Sequence, residues 1–415
     1  MKKDIIIWLF VVFLLLFGLV FIAFVQKQKQ KKLVFWSIQL KPIYEKQMND
    51  IIFAFEKKHP NYKIVWVDIP IQEAQKRTLA SILSSTPPDL VNLNPDFSLI
   101  LAQKNALYLF DEKDVKDYVP ALTDKLRYNG KIYALPYYAT SPVTIYNKEI
   151  YNKCIGSEFI KHYSDLNSIS KKLKKCSTTP VFSGSINEND TLAKILNKYN
   201  VFDLSTNYQK EKTFEIFSLF SELYRNNELP KDILAINHRE NIEKFMSNQA
   251  LIIVAGSNFI NMIKQNSPEI YSKSEIAMQL TGDNEKFDVS LMNLIIPSKA
   301  KNKQMALEFA KLLTNAENQL EFAKITNVLP VNKIALNDDY FKNCSSDLYE
   351  KSRCISSKQL NNLVNKDFGD ENKKAINEQI NKTLEEILLK EKVSKNEIKE
   401  KVENLSKEVK LLQVK

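Results

Sequence analysis

Twelve side chains at expected strand ends have types suited to chemistry: Trp36, Gln39, Asn94, Asp96, Tyr137, Tyr138, Thr140, Ser257, Asn258, Asp288, Asn293 and Asn327. Flat tryptophan and tyrosine rings stack on the apolar face of a pyranose, and planar amides and carboxylates bond neighbouring hydroxyls. That mixture in a cleft suits noncovalent recognition of a sugar. Other chemistries find less support. The pair Tyr137-Tyr138 would suit ferric iron, but iron asks for further hard or imidazole ligands, and His59, His162 and His238 do not fall in the expected cleft loops. A hydrolase needs a carboxylate pair or a nucleophile with its base. None of the 49 acidic residues stands in such a setting. With seven glycines, the chain has neither GxGxxG nor GxxxxGK[ST] to cradle a phosphate. The expectation is a binding protein with no catalytic residue, no metal and no cofactor.

Those residues must be positioned by an α/β frame. Residues 33–36 and 63–68 read as strands, and 90–93 (LVNL) as a third. Between them Met48, Ile51, Ile52 and Phe55 mark a helix stopped at His59-Pro60, and Ile71, Leu79, Ile82 and Leu83 mark a second, closed by Pro87-Pro88. Strand–helix–strand–helix–strand with short links predicts an open, mostly parallel sheet, whose ligands sit beyond the carboxyl ends of its strands. Trp66 falls mid-strand and is expected in the core, as are the dense Phe214, Phe217, Leu219, Phe220 and Leu223.

Residues 130–151, GKIYALPYYATSPVTIYNKEIY, organise the chain. Asn129-Gly130 signals a turn, and Pro136 and Pro142 interrupt a β-prone run. A strand broken twice by proline predicts a crossover between two lobes, displaying Tyr137, Tyr138 and Thr140 where they meet. Farther on, residues 250–255 form a buried strand running into Gly256-Ser257-Asn258, 291–296 another strand, and 297–313 a helix. Ser394-Lys395-Asn396-Glu397 is a capping box, followed by Ile398, Val402, Leu405, Val409 and Leu412 at helical spacing. This tail is expected to pack on the chain's own lobes, being too short to stand alone.

The chain of 415 residues has room for two lobes. Its net charge of +10 comes from dispersed lysines without a basic stripe, so nucleic acid is not an expected partner. Residues 5–25 carry no charge and would span roughly 31 Å as a helix, enough to cross a bilayer. No cysteine follows this run to carry a lipid, and its end offers a poor cleavage site. It predicts an uncleaved signal anchor. Lys27, Lys29, Lys31 and Lys32 outnumber Lys2 and Lys3, and charge alone would place the main body inside. Cys154, Cys176, Cys344 and Cys354 form an even set with no metal-ligand spacing. Two sequential bridges would close short loops; the other pairings stay open.

Several motifs in order resemble the bacterial extracellular solute-binding protein family 1, the sugar-binding proteins of ABC importers. Asn129-Gly130-Lys131, Tyr133, Leu135-Pro136-Tyr137-Tyr138 and Ile145-Tyr146-Asn147-Lys148 resemble its hinge segment. Trp36, the run 55–60 (FEKKHP), residues 88–97 (PDLVNLNPDF), 105–107 (NAL) to Asp111, 245–250 (FMSNQA), 306–309 (ALEF) and 327–330 (NVLP) follow in family order. The chain departs at Asn248 for a glycine, at Gly256-Ser257-Asn258 for "Gpw", and at 290–293 (SLMN), which lacks a glycine pair. The resemblance implies a periplasmic-binding-protein-like fold: two α/β lobes around a hinge with a ligand cleft, here preceded by one N-terminal transmembrane helix. It implies a signal anchor and linker at 1–32, an N-terminal lobe at 33–141 with 296–333, and a C-terminal lobe at 142–295 with 334–415. The crossings are expected near 138–143, 288–296 and after Val331. It also implies a monomer tethered on the outer face, capturing a sugar or oligosaccharide for the permease subunits of an ABC importer. A ligand-sensing subunit of a signalling system, or a binder of peptide, polyamine or iron, would use the same fold.

Overall fold

The structure is a computed structural model that describes residues 30–413 apart from 85, 158–159, 189, 202–208 and 364–371. The expected membrane-spanning run at 5–25 lies outside the described residues. Among the described residues no helix is long and apolar enough to cross a membrane.

In chain order the strands are β1 (Lys31–Ile38), β2 (Tyr62–Ile69), β3 (Leu90–Leu93), β4 (Arg127–Tyr128), β5 (Lys131–Ile132), β6 (Leu135–Thr140), β7 (Pro142–Asn147), β8 (Phe182–Ser183), β9 (Ile252–Gly256), β10 (Ser274–Met278), β11 (Ser290–Ile295) and β12 (Leu329–Pro330). One sheet has the order β12-β6-β11-β3-β1-β2, a second the order β10-β7-β9-β8, and β4-β5 form a hairpin. Each main sheet is the centre of one lobe.

β1 pairs in parallel with both β2 and β3. The helices Lys41–Lys58 and Ile71–Leu83 make the crossovers in opposite directions along the sheet, so the right-handed rule puts them on opposite faces. Helix Lys41–Lys58 ends where expected, with His59 closing back on Phe55 O. On its face Phe55 meets Phe309 edge-on at 5.1 Å between centroids, and Tyr44 meets Phe322 at 4.6 Å. These contacts seat the later helices Lys303–Leu313 and Ala316–Thr326 beside it. The expected helix at 297–313 begins only at Lys303.

The proline-broken stretch divides as its sequence suggests. Asn129 and Gly130 both take positive φ, 49° and 74°, as the central pair of the hairpin β4-β5. β6 then joins the first sheet and β7 the second, with only Ser141 between them. The second crossing lies at 279–289, between β10 and β11. It therefore precedes the expected 288–296, and residues 290–295, assigned from sequence to the C-terminal lobe, belong to the first sheet between β6 and β3. An isolated apolar strand does not reveal which of two sheets its hydrogen bonds enter. The third crossing leads from helix Lys333–Leu336 to helix Leu348–Gln359.

The second lobe has a largely helical cover. Helices Lys210–Arg225, Lys373–Leu389 and Lys395–Gln413 share one apolar core containing Phe217, Phe220, Ile380, Leu384, Val402 and Leu405. The tail thus packs on its own chain. Its capping box is present, with Ser394 N donating to Glu397 Oε2 at 2.8 Å and Glu397 N to Ser394 Oγ at 3.2 Å. The cysteines pair as Cys154–Cys176 and Cys344–Cys354, with Cα separations of 5.8 and 5.4 Å.

Candidate functional site

Strand register brings the candidate residues to two adjoining edges. In the first lobe Gln39 follows β1 and Asn94 follows β3, both at carboxyl ends. β11 and β12 run antiparallel to β6, with Ser290 opposite Thr140 and Leu329 opposite Ala139. Asp288, Thr140 and Asn327 therefore reach the same edge. In the second lobe Gly256 pairs with Pro142, which sets Ser257 and Asn258 beside the crossing. β8 runs parallel to β9, so Gly184 and Ser185 leave at that edge too. Because Ser141 alone separates β6 from β7, the two edges face one cleft.

Local chemistry fixes each residue differently. Gln39 is exposed and holds a left-handed backbone, φ 51°. The turn that presents it is tied down by Asp68, which accepts from Leu40 N (3.0 Å), Lys41 N (3.1 Å) and Ser37 Oγ (2.5 Å). Ser37 Oγ also accepts from Trp66 Nε1 at 2.7 Å. Trp66 is thus half-buried, packed against the first-lobe core and anchored by this bond, and Trp36 is half-buried on the same strand as Ser37. Asn94 caps helix Pro95–Gln103 by accepting from Phe97 N at 2.9 Å. Asn258 is exposed, whereas Ser257 is buried. Asn327, also left-handed at φ 55°, donates from Nδ2 to Ser257 O at 3.0 Å and so spans the lobes. Its buried Oδ1 has no partner.

Four expected contacts are placed otherwise. The register of β6 on β11 shifts between Met292 and Asn293, which leaves Tyr137 as the extra residue of a bulge. The bulge turns its ring inward, 1% exposed and stacked on Phe322 at 5.6 Å, so Tyr137 is core instead of displayed at the cleft. Burial pushes its phenol pKa well up. Tyr138 is half-buried and meets Phe322 edge-on at 5.3 Å. Asn293 is fully buried mid-strand, donating to Ser98 Oγ at 2.8 Å inside the first lobe. The Asp288 carboxylate is 2.8 Å from Lys198 Nζ, and both Asp96 oxygens are 3.0 Å from Lys373 Nζ. Strand-end position is legible in sequence; a bulge or a partner 100 residues away is not.

Behind the cleft a polar network ties the crossings together, and its members Lys198, Gln279, Ser356 and Gln359 did not stand out in the sequence. Gln279 donates to Asp288 O at 3.0 Å and accepts from Asp288 N at 3.0 Å. Its backbone N donates to Gln359 Oε1 at 2.7 Å. Gln359 in turn donates to Ser141 Oγ at 2.8 Å and Pro142 O at 2.7 Å, and Ser356 Oγ to Ser141 O at 2.9 Å. The three crossings described above therefore converge on Ser141. Lys198, 1% exposed, completes the network by donating to Gln279 Oε1 at 2.9 Å. A Cβ on Gly282 would lie 2.7 Å from Lys198 O, so only glycine lets the crossing pass there.

At the second-lobe edge Ser185 Oγ lies 2.9 Å from His238 Nδ1, and Glu188 Oε2 contacts the same nitrogen. A nucleophile relay divides its serine and carboxylate between the two ring nitrogens, which this cluster does not do. Beyond it, Asp190 is paired with Lys194 (2.9 Å) and Lys373 (3.0 Å). Burial would raise its pKa, but these two ammonium groups outweigh burial and hold it at about 2. A groove of ≈ 740 Å³ lined by Tyr199, Phe214, Arg225 and Ile398 lies within the second lobe, away from the facing edges.

Comparison with known proteins agrees with this geometry. The family described as "Bacterial extracellular solute-binding protein" matches residues 50–345. The galactooligosaccharide-binding protein of Bacillus subtilis is 22% identical over 324 residues, 75% of this chain and 75% of its own. A periplasmic-binding protein from Synechococcus sp. MITs9220 superposes with a TM-score of 0.78 at 22% identity, covering 92% of this chain and 100% of that one. The GacH receptor of Streptomyces glaucescens, solved unliganded and in complex with acarbose, gives 0.72 at 17% identity over 93% and 99%. The two-lobed fold is that of periplasmic binding proteins. With its family model spanning well over half of its length, the chain belongs to the bacterial extracellular solute-binding proteins, a family that binds its solutes outside the cytoplasm.

Proposed function

We propose that this protein captures a sugar or oligosaccharide in the cleft between its lobes and delivers it to the permease subunits of an ABC importer. The observation that carries the reading is the pair of facing edges, with Gln39, Asn94, Thr140 and Asn327 on one and Ser257 and Asn258 on the other. Half-buried Trp36 and Tyr138 stand near the first edge to supply rings. Such a set suits a polyhydroxylated ligand. The relative named for galactooligosaccharide and the acarbose-binding neighbour support the same class. The lobes would close on the solute because the closed form makes contacts that the open form lacks. No covalent step is required. The apolar run at 5–25 would tether the body to the outer face of the membrane, with the N-terminal lobe at 31–141 and 290–341 and the C-terminal lobe at 142–278, 348–359 and 372–413.

A thermal-shift screen of the full-length chain against mono- and oligosaccharides, peptides, polyamines and ferric iron tests the class. A sugar at 100 times its Kd should add about 2.7 kcal/mol and raise Tm by several degrees. A response only to peptide, polyamine or iron would overturn the sugar assignment. Trp36→Ala or Tyr138→Ala should then weaken the best ligand; unchanged affinity for both variants would refute the cleft.

A further inference from the structure

Lys373 opens helix Lys373–Leu389, which packs on the second lobe and lies beyond the residues matched by the family model. A lysine in a first turn is opposed by the helix dipole. Here the opposition is offset by two carboxylates from different lobes. Asp190 belongs to the second lobe, between β8 and helix Thr191–Asn197, and lies 3.0 Å from Nζ. Asp96 belongs to the first lobe, in the opening turn of helix Pro95–Gln103 just beyond β3, and both of its oxygens lie 3.0 Å from the same Nζ. The lysine is well covered, as is Asp190, while Asp96 is largely exposed. The ammonium is thus seated on its own lobe by Asp190 and reaches across the mouth of the cleft to Asp96. Asp96 lies two residues past Asn94 of the first edge, and Asp190 lies in the segment that leaves the second edge at Ser185. On the same helix face, Asn381 Nδ2 donates to Asn187 O at 3.2 Å, which anchors the helix to the loop carrying Asp190.

We propose that Lys373 is an electrostatic latch that biases the two lobes toward closure, with Asp190 as its seat and Asp96 as its catch. Asp96, expected from sequence to touch ligand, acts on closure through the lysine. The latch is independent of which solute occupies the cleft.

The test reads lobe separation without ligand. Spin labels are placed on the exposed positions Leu83→Cys and Leu389→Cys, one on each lobe, in the full-length chain with its disulfides intact. Pulsed dipolar spectroscopy then gives the distance distribution at about 0.01 M and about 1 M salt, where the Debye length is about 30 and about 3 Å. The wild type should shift toward the open population in high salt. Lys373→Gln should show the open-shifted distribution at both salt concentrations, a twofold to fivefold change in the open-to-closed ratio by the usual worth of a part-exposed pair, about 0.5–1 kcal/mol. Lys373→Arg should restore the wild-type response. Asp96→Asn removes only the catch and leaves the seat intact, so it reports even if Lys373→Gln fails to fold. An Asp96→Asn distribution identical to wild type at low salt would overturn the latch, as would an equal salt shift in both.

Discussion

Replacing Lys198 should cost far more than a surface lysine. Its side chain is 1% exposed, and its ammonium is 2.8 Å from Asp288 Oδ2 and 2.9 Å from Gln279 Oε1. Lys198→Met keeps the aliphatic volume but leaves the Asp288 carboxylate without its ammonium and takes away one of the two donors to Gln279 Oε1. Removing one partner of a buried pair costs about 3–5 kcal/mol. Asp288 is 17% exposed, so water recovers some of the loss and places the expected value near the lower end, about 3 kcal/mol. Urea unfolding followed by tryptophan fluorescence measures this directly. Asp288→Asn in the same background should be less damaging than in the wild type, because the orphaned charge is already the problem; a double-mutant cycle isolates that coupling. A loss below about 1 kcal/mol for Lys198→Met, or strictly additive variants, would refute the view that this pair organises the crossing.

Acid should weaken the Asp190 contacts. The carboxyl ionises at about 2 in the fold against 3.8 unperturbed, so its stabilisation is complete above about pH 5 and is lost as pH falls through about 2. Asp190→Asn should remove up to about 2 kcal/mol at pH 7 and flatten the acid limb of stability against pH. Asn327→Gly should keep the left-handed helix end yet lose the bridge to Ser257 O, whereas Asn327→Ala loses both and should be less stable by about 1 kcal/mol more. Thermal melts of the two variants separate backbone conformation from the lobe contact. Removing the Cys344–Cys354 bridge should cost about 3 kcal/mol by chain entropy. Cys354 shares helix Leu348–Gln359 with Ser356 and Gln359. Hydrogen exchange at Ser141 and Pro142's neighbours should therefore quicken in Cys344→Ser/Cys354→Ser relative to amides of β1.

Much of the frame was readable because its signals are local. The alternation of apolar runs with helical spacing gave β1, β2 and β3 and the helices between them. Asn129-Gly130 gave a turn, because two successive positive φ values need such residues; that the turn closes the hairpin β4-β5 came from the structure. The tail helix and its capping box were equally local. Several strands went unseen: β4, β8 and β12 are two residues long, and β10, SEIAM, carries little periodic signal.

Local sequence signals set the alternation of β1, β2 and β3 with the helices between them, the crossover at 130–151 and the residue types that reach strand ends, since each follows from periodicity and turn chemistry within a few residues. Tertiary structure decided which sheet β11 joins, which tyrosine the bulge turns inward, and which charges meet. Asp288 finds Lys198, Asp96 finds Lys373, and Gln359 finds Ser141 across long stretches of chain. Such pairings depend on the packing of whole lobes, where burial makes an unpaired charge or amide costly, and no local pattern encodes the partner.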